Sequence, residues 1–153
     1  MSVTVSQSTV ASPSSAGFLA TRPVWQVGAL AALAGAAVTE AFALIARGAG
    51  VPMDVASPGA KEAAEIPVGG FAGGVLFWSV AGIVLAVALA RWARRPARTF
   101  VVTTLVLTAL SLAGPAIAPH TATSTQIVLA ASHVVAAAVI IPLLARRLSH
   151  QHR

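Results

Sequence analysis

The sequence predicts an all-α fold: an integral-membrane four-helix bundle with both termini in the cytoplasm. Three observations carry this. The 153 residues are 57% hydrophobic and only 9% charged, whereas soluble domains carry about a quarter charged residues. Four apolar runs follow one another, each near the ~20 residues needed to cross the hydrocarbon core. The Lys and Arg side chains flank those runs with a strong bias to one side, as the positive-inside rule describes. The mean hydropathy of +0.84 agrees.

Residues 1–23 are rich in Ser and Thr and carry one cation, Arg22. They lack the basic start and apolar core of a signal peptide, so a disordered N-terminal tail is expected. A four-span domain follows over 24–147, with spans at about 24–46, 68–90, 100–118 and 126–145, and then a basic C-terminal tail, 148–153. The runs are continuous and rich in Ala, Leu and Val rather than alternating. Lipid offers backbone groups no partner, so each run is read as a helix.

Orientation comes from the connections. Arg91, Arg94, Arg95 and Arg98 lie between spans two and three; Arg146, Arg147 and Arg153 follow span four; Arg22 precedes span one. The opposite side holds Arg47 and Lys61. The bias places the termini in the cytoplasm and the chain in the plasma membrane, a bacterial inner membrane being expected. Trp25 and Trp92 fall at the cytoplasmic boundary, where indoles favour headgroups. The cluster Arg91, Arg94, Arg95 and Arg98 is a candidate site for anionic lipid headgroups. This arrangement accounts for the formal charge of +6 without nucleic acid, which is not an expected partner. Expected partners are the lipid bilayer and either a second copy or another membrane protein.

The connections also carry local signals. Loop one, 47–67, holds Asp54, Glu62 and Glu65. Its AKEAAE stretch is read as a short surface helix after the turn Ser57-Pro58-Gly59. Pro67 suits the first turn of span two. Thr123 and Gln126 have capping-box spacing for span four. Gly114-Pro115 should kink or end span three. Gly69 with Gly73 and Gly70 with Gly74 form two GxxxG pairs, expected to pack inside the bundle, or otherwise to form a homodimer face. Trp78, near mid-span, is expected in the core. The absence of Cys excludes disulfides, thiolate metal sites and dithiol redox chemistry. No cofactor or metal is expected: Glu40, His120 and His133 lack ligand spacing.

Chemistry, if any, centres on ionisable groups inside the spans, which are costly in hydrocarbon. Glu40 in span one lies seven residues from Arg47, or ~10 Å deep. His133 in span four lies seven residues from Gln126, at a similar ~10 Å depth. Ser111 of span three shares that level. The stripe Thr104, Thr108, Ser111, Pro115 leads up to His120. The candidate polar site is therefore Glu40, His133, Ser111 and His120, with Arg47 competing for Glu40 by bending down from above. Glu40 and His133 are expected within direct or one-water hydrogen-bonding reach. They would form either a pair that moves protons, binds a cation or acts as acid and base, or a hydrogen bond that fixes packing.

The segments RPVWQVG, TEAFALIARGAGVPM, IPVGGFAGG, LARWARRPARTFVVTT, HTATST and SHVVAAAVIIPLLARRL resemble a family of uncharacterised four-helix membrane proteins common in actinobacteria, a domain of unknown function. The resemblance covers about 22–148 and implies the fold and membrane location, but no catalytic residues. Small multidrug-resistance transporters share four helices and a Glu in the first. This chain departs from them in having no Tyr, a long outer loop and a pronounced cation bias. The reading is a multi-pass membrane protein of accessory or structural role. The alternatives are a small proton-coupled transporter and a membrane-embedded enzyme acting on a lipid, isoprenoid or quinone.

Overall fold

The computed structural model describes residues 21–56 and 60–150. The 1–20 part of the expected N-terminal tail, the Ser57-Pro58-Gly59 turn and residues 151–153 lie outside the described residues. Seven elements appear in chain order: α1 Val24–Gly48, β1 Asp54–Val55, β2 Ala64–Glu65, α2 Gly70–Trp92, α3 Pro96–Ser111, α4 Ala113–Ala116 and α5 Thr123–Ser149. Among the described residues, four helical segments are long and apolar enough to cross a membrane: α1, α2, α3 with α4, and α5.

Two apolar clusters define an up-and-down bundle. At one end, Val24 opening α1 packs with Ala86 of α2, Phe100 of α3, and Leu144 and Leu148 of α5. At the other, Ala43 of α1 packs with Met53, Phe71 of α2 and Val128 of α5. Successive helices therefore run antiparallel. The first cluster marks the arginine end and the second the loop end. Helix α5 runs on to Ser149, and Leu148 is fully buried within it.

Helix α1 is the central element, packed against both α2 and α5. Its buried face is built from small residues, Gly28, Ala31, Ala32, Gly35 and Ala36 among them. A methyl added at Gly28 would lie 2.7 Å from Ile83, and one at Gly35 would lie 2.8 Å from Ile140. These glycines let neighbouring helices approach closely, as small residues do in membranes.

The GxxxG pairs of α2 behave otherwise. Gly73 and Gly74 are exposed, with nothing within 4 Å of an added methyl. Gly69 has φ +88 and Gly70 would clash with Ile66. Those two glycines serve the tight entry into α2, not helix packing within the bundle. Trp78 is likewise on the surface, 73% exposed, in edge-to-face contact with Phe77 at 5.4 Å. With α1 and α5 already paired through small residues, this face of α2 is left outward.

Several local expectations are corrected. Helix α2 starts at Gly70, so Pro67 stands before it; its carbonyl accepts from Gly70 N–H at 2.9 Å. The AKEAAE stretch forms no helix. Ala64–Glu65 pairs antiparallel with Asp54–Val55, and Ile66 N–H donates to Met53 O at 2.7 Å. The Thr123–Gln126 capping box is not made: Ala122 is the N-cap, and the Gln126 amide donates to Ala118 O at 3.1 Å. Span three breaks at Leu112, because Pro115 has no N–H to offer the Ser111 carbonyl one turn back.

These contacts separate two classes of glycine. Gly28→Val and Gly35→Val should each destabilise the detergent-solubilised protein by about 1–3 kcal/mol, the usual cost of overpacking. Gly73→Ala and Gly74→Ala should leave thermal unfolding unchanged or slightly raised, since Ala is the better helix former. Equal losses at all four sites would contradict this packing.

Candidate functional site

Glu40 stands on α1 at the level where α2 begins. Helix α2 opens without a cap of its own: Gly69, the N-cap, has no side chain, and the first turn holds no acid. The Glu40 carboxylate fills that place. Its Oε1 accepts from Gly69 N–H at 2.7 Å and its Oε2 from Ala72 N–H at 2.9 Å. Gly69 is the N-cap and Ala72 the third helical residue. In a capping box these two N–H groups are satisfied by side chains of the same helix. Here one carboxylate from the neighbouring helix satisfies both. It also sits at the positive end of the α2 dipole.

His133 makes a different contact. Its Nδ1 lies 2.7 Å from Leu129 O, one turn back on α5. A carbonyl only accepts, so Nδ1 carries the proton and, in the neutral ring, Nε2 is left bare. Among the described residues Nε2 has no hydrogen-bond partner. The expected direct Glu40–His133 hydrogen bond is not formed. Two charge-assisted bonds from fixed amides and a helix dipole hold the carboxylate at α2, while the imidazole finds its own carbonyl on α5.

The other candidates disperse as well. Arg47 does not reach down to Glu40. It pairs with Glu65 at 2.6 Å and donates to Ile66 O at 2.5 Å, tying the end of α1 to β2. That pair also offsets the repulsion of Glu65 and Asp54, which face each other across the strands. Ser111 donates to Thr108 O, Thr108 to Thr104 O and Thr104 to Phe100 O. This stripe satisfies itself on its own backbone rather than lining a shared track. His120 is exposed before α5 with φ 49.

Two polar features lay outside the sequence reading. Thr125, fully buried, donates its hydroxyl to Pro52 O and pins loop one to α5. Thr39, beside Glu40, is 1% exposed, and its hydroxyl has no partner among the described residues. The Thr-Ser-Thr-Gln run at the head of span four was the available signal for Thr125. Thr39 gave none, since a helical Thr normally bonds the carbonyl one turn back.

At the arginine end, Arg94, Arg95 and Arg98 line an open groove of about 300 Å³ with Pro96, Leu148 and Ser149. Arg91 lies instead on a second groove, between α1 and α2.

A family model matches residues 19–150, nearly the whole chain. The chain belongs to the family of unknown function DUF6069. No curated protein and no solved structure matches it. Membership in DUF6069 agrees with the resemblance to an uncharacterised domain, and assigns no activity to Glu40 or to any other residue.

The geometry separates Glu40 from His133 energetically. Glu40→Ala leaves two amide donors without an acceptor and should destabilise the fold by about 2–4 kcal/mol. Glu40→Gln keeps one acceptor and turns an amide donor toward the other N–H, so an intermediate loss is expected. A Glu40→Ala/His133→Ala double-mutant cycle should give coupling below about 0.5 kcal/mol, as for independent sites. Coupling well above that value would restore the direct pair.

Proposed function

We propose that the chain is a multi-pass protein of the plasma membrane with both termini in the cytoplasm, and that its role is accessory or structural rather than catalytic. The observation that carries this reading is the complete use of Glu40. The one acid within the spans gives both oxygens to the backbone of α2. A carboxylate held in this way stabilises a helix junction. A carrier or a general base needs its carboxylate to exchange partners with a substrate or with protons. The remaining span hydroxyls that bond their own helix add no open binding chemistry.

One observation favours a second reading, a small proton-coupled carrier. The Thr39 hydroxyl and His133 Nε2 are polar atoms in the spans without partners among the described residues, and each is a group a carrier would use. The enzyme reading has no comparable support, because among the described residues no second ionisable side chain is held against Glu40 or His133.

Two measurements test the proposal. The chain contains no Cys, so Ala60→Cys and Ser149→Cys are clean single reporters. An impermeant thiol reagent applied to intact cells should label the first and spare the second; labelling of position 149 from outside refutes the orientation. In reconstituted liposomes under a pH gradient, proton flux should equal that of empty vesicles. Flux that Glu40→Gln or His133→Ala abolishes would replace the accessory reading with the carrier.

A further inference from the structure

The charges of the molecule are segregated. Arg22, Arg91, Arg94, Arg95, Arg98, Arg146 and Arg147 gather at the arginine end, where the chain places no acid. All four acids, Glu40, Asp54, Glu62 and Glu65, belong to the other half. The Arg91 side chain makes no hydrogen bond or ion pair among the described residues. So many like charges call for anions from outside the chain.

Arg91 differs from its neighbours in what lies beneath it. It stands on a groove of about 370 Å³ between α1 and α2, lined by Trp25, Ile83, Val84, Val87 and Trp92. The two helices come close at Gly28 and Ile83, which closes the groove at its deep end. From Ile83 to Arg91 the helix rises ~12 Å at 1.5 Å per residue. That is close to the ~15 Å of one leaflet's hydrocarbon, half of the ~30 Å core. Trp25 and Trp92 are both largely exposed and flank the polar end, where indoles favour the interface. The groove of Arg94, Arg95 and Arg98 offers charge beside Pro96, Leu148 and Ser149, without such an apolar channel along a spanning helix.

We propose that the α1–α2 groove binds one anionic phospholipid, its phosphate at Arg91 and an acyl chain along Val87, Val84 and Ile83. A soluble anion would use the charge and leave the channel empty. A zwitterionic lipid would fill the channel and leave the segregated charge uncompensated. An anionic lipid meets both. The site rests on the reading that the chain spans the bilayer, and the test separates the two.

Trp25 and Trp92 are built-in reporters. In Trp78→Phe they are the tryptophans that remain. This variant is placed in phosphatidylcholine vesicles carrying equal fractions of brominated phosphatidylglycerol or brominated phosphatidylcholine. Quenching should show about fivefold enrichment of the anionic lipid, the factor one Arg supplies at an anionic surface. Arg91→Gln should abolish the preference, while Arg98→Gln, an equal loss of charge off the groove, should keep it. Equal quenching by both lipids, or a preference that survives Arg91→Gln, overturns the site. The complementary protein, Trp25→Phe/Trp92→Phe, keeps only the outward Trp78 near mid-span. Its quenching by either lipid reports insertion, and its silence would instead refute the membrane reading.

Discussion

A helix that begins in or near hydrocarbon has N–H groups with no acceptor, and a carboxylate at the same depth has no donor; either alone is costly. Glu40 removes both costs at once by reaching from α1 to Gly69 and Ala72 at the head of α2. The rest of the loop end follows from this junction. Gly69, with no Cβ, adopts φ +88 at the head of α2 and leaves the cap to Glu40. Arg47, about two turns beyond Glu40, is free to hold Glu65 and the Ile66 carbonyl. Thr125 closes the same region by holding Pro52.

Below the junction, packing depends on size rather than polarity. Lipid is as apolar as Leu, so helices associate through close approach and interhelical hydrogen bonds. Helix α1 supplies the close approach through Gly28 and Gly35, which receive Ile83 and Ile140. The hydroxyls of Thr104, Thr108 and Ser111 on α3 bond their own helix's carbonyls, so they impose no polar partner on neighbouring helices. At the far end the bundle closes on Phe100, Leu144 and Leu148, and the arginines lie outside that cluster.

The four spans were legible because hydropathy and length act within each segment, independent of its neighbours. Helix ends were less so. Pro67 and the Thr123–Gln126 pair gave plausible starts, but the helices begin after Gly69 and Ala122 instead, the first of them held by Glu40 from the neighbouring helix. AKEAAE has helical composition, yet pairing with Asp54–Val55 and the Arg47 contact made it extended. Glu40 was singled out as an acid inside a span, and both of its oxygens are hydrogen-bonded. Its partner was not, because depth alone does not fix helix rotation. Depth matched it to His133; rotation turned it to α2. A clue was nonetheless present: span two opens with Gly-Gly and has no capping side chain of its own, so an acceptor had to come from another helix. The same two glycines, read as half of GxxxG pairs, pointed to packing instead.

The account stands on the Glu40 carboxylate binding the amides of Gly69 and Ala72. Proton–nitrogen NMR of the labelled protein in micelles reads those two amides directly. Both should resonate downfield of ordinary helix-start amides and exchange slowly with water, as charge-assisted donors do. In Glu40→Ala both should move upfield and exchange rapidly, while the amides at the start of α5 stay in place. Rapid exchange at Gly69 and Ala72 in the native protein, or no change on removing Glu40, would contradict the account.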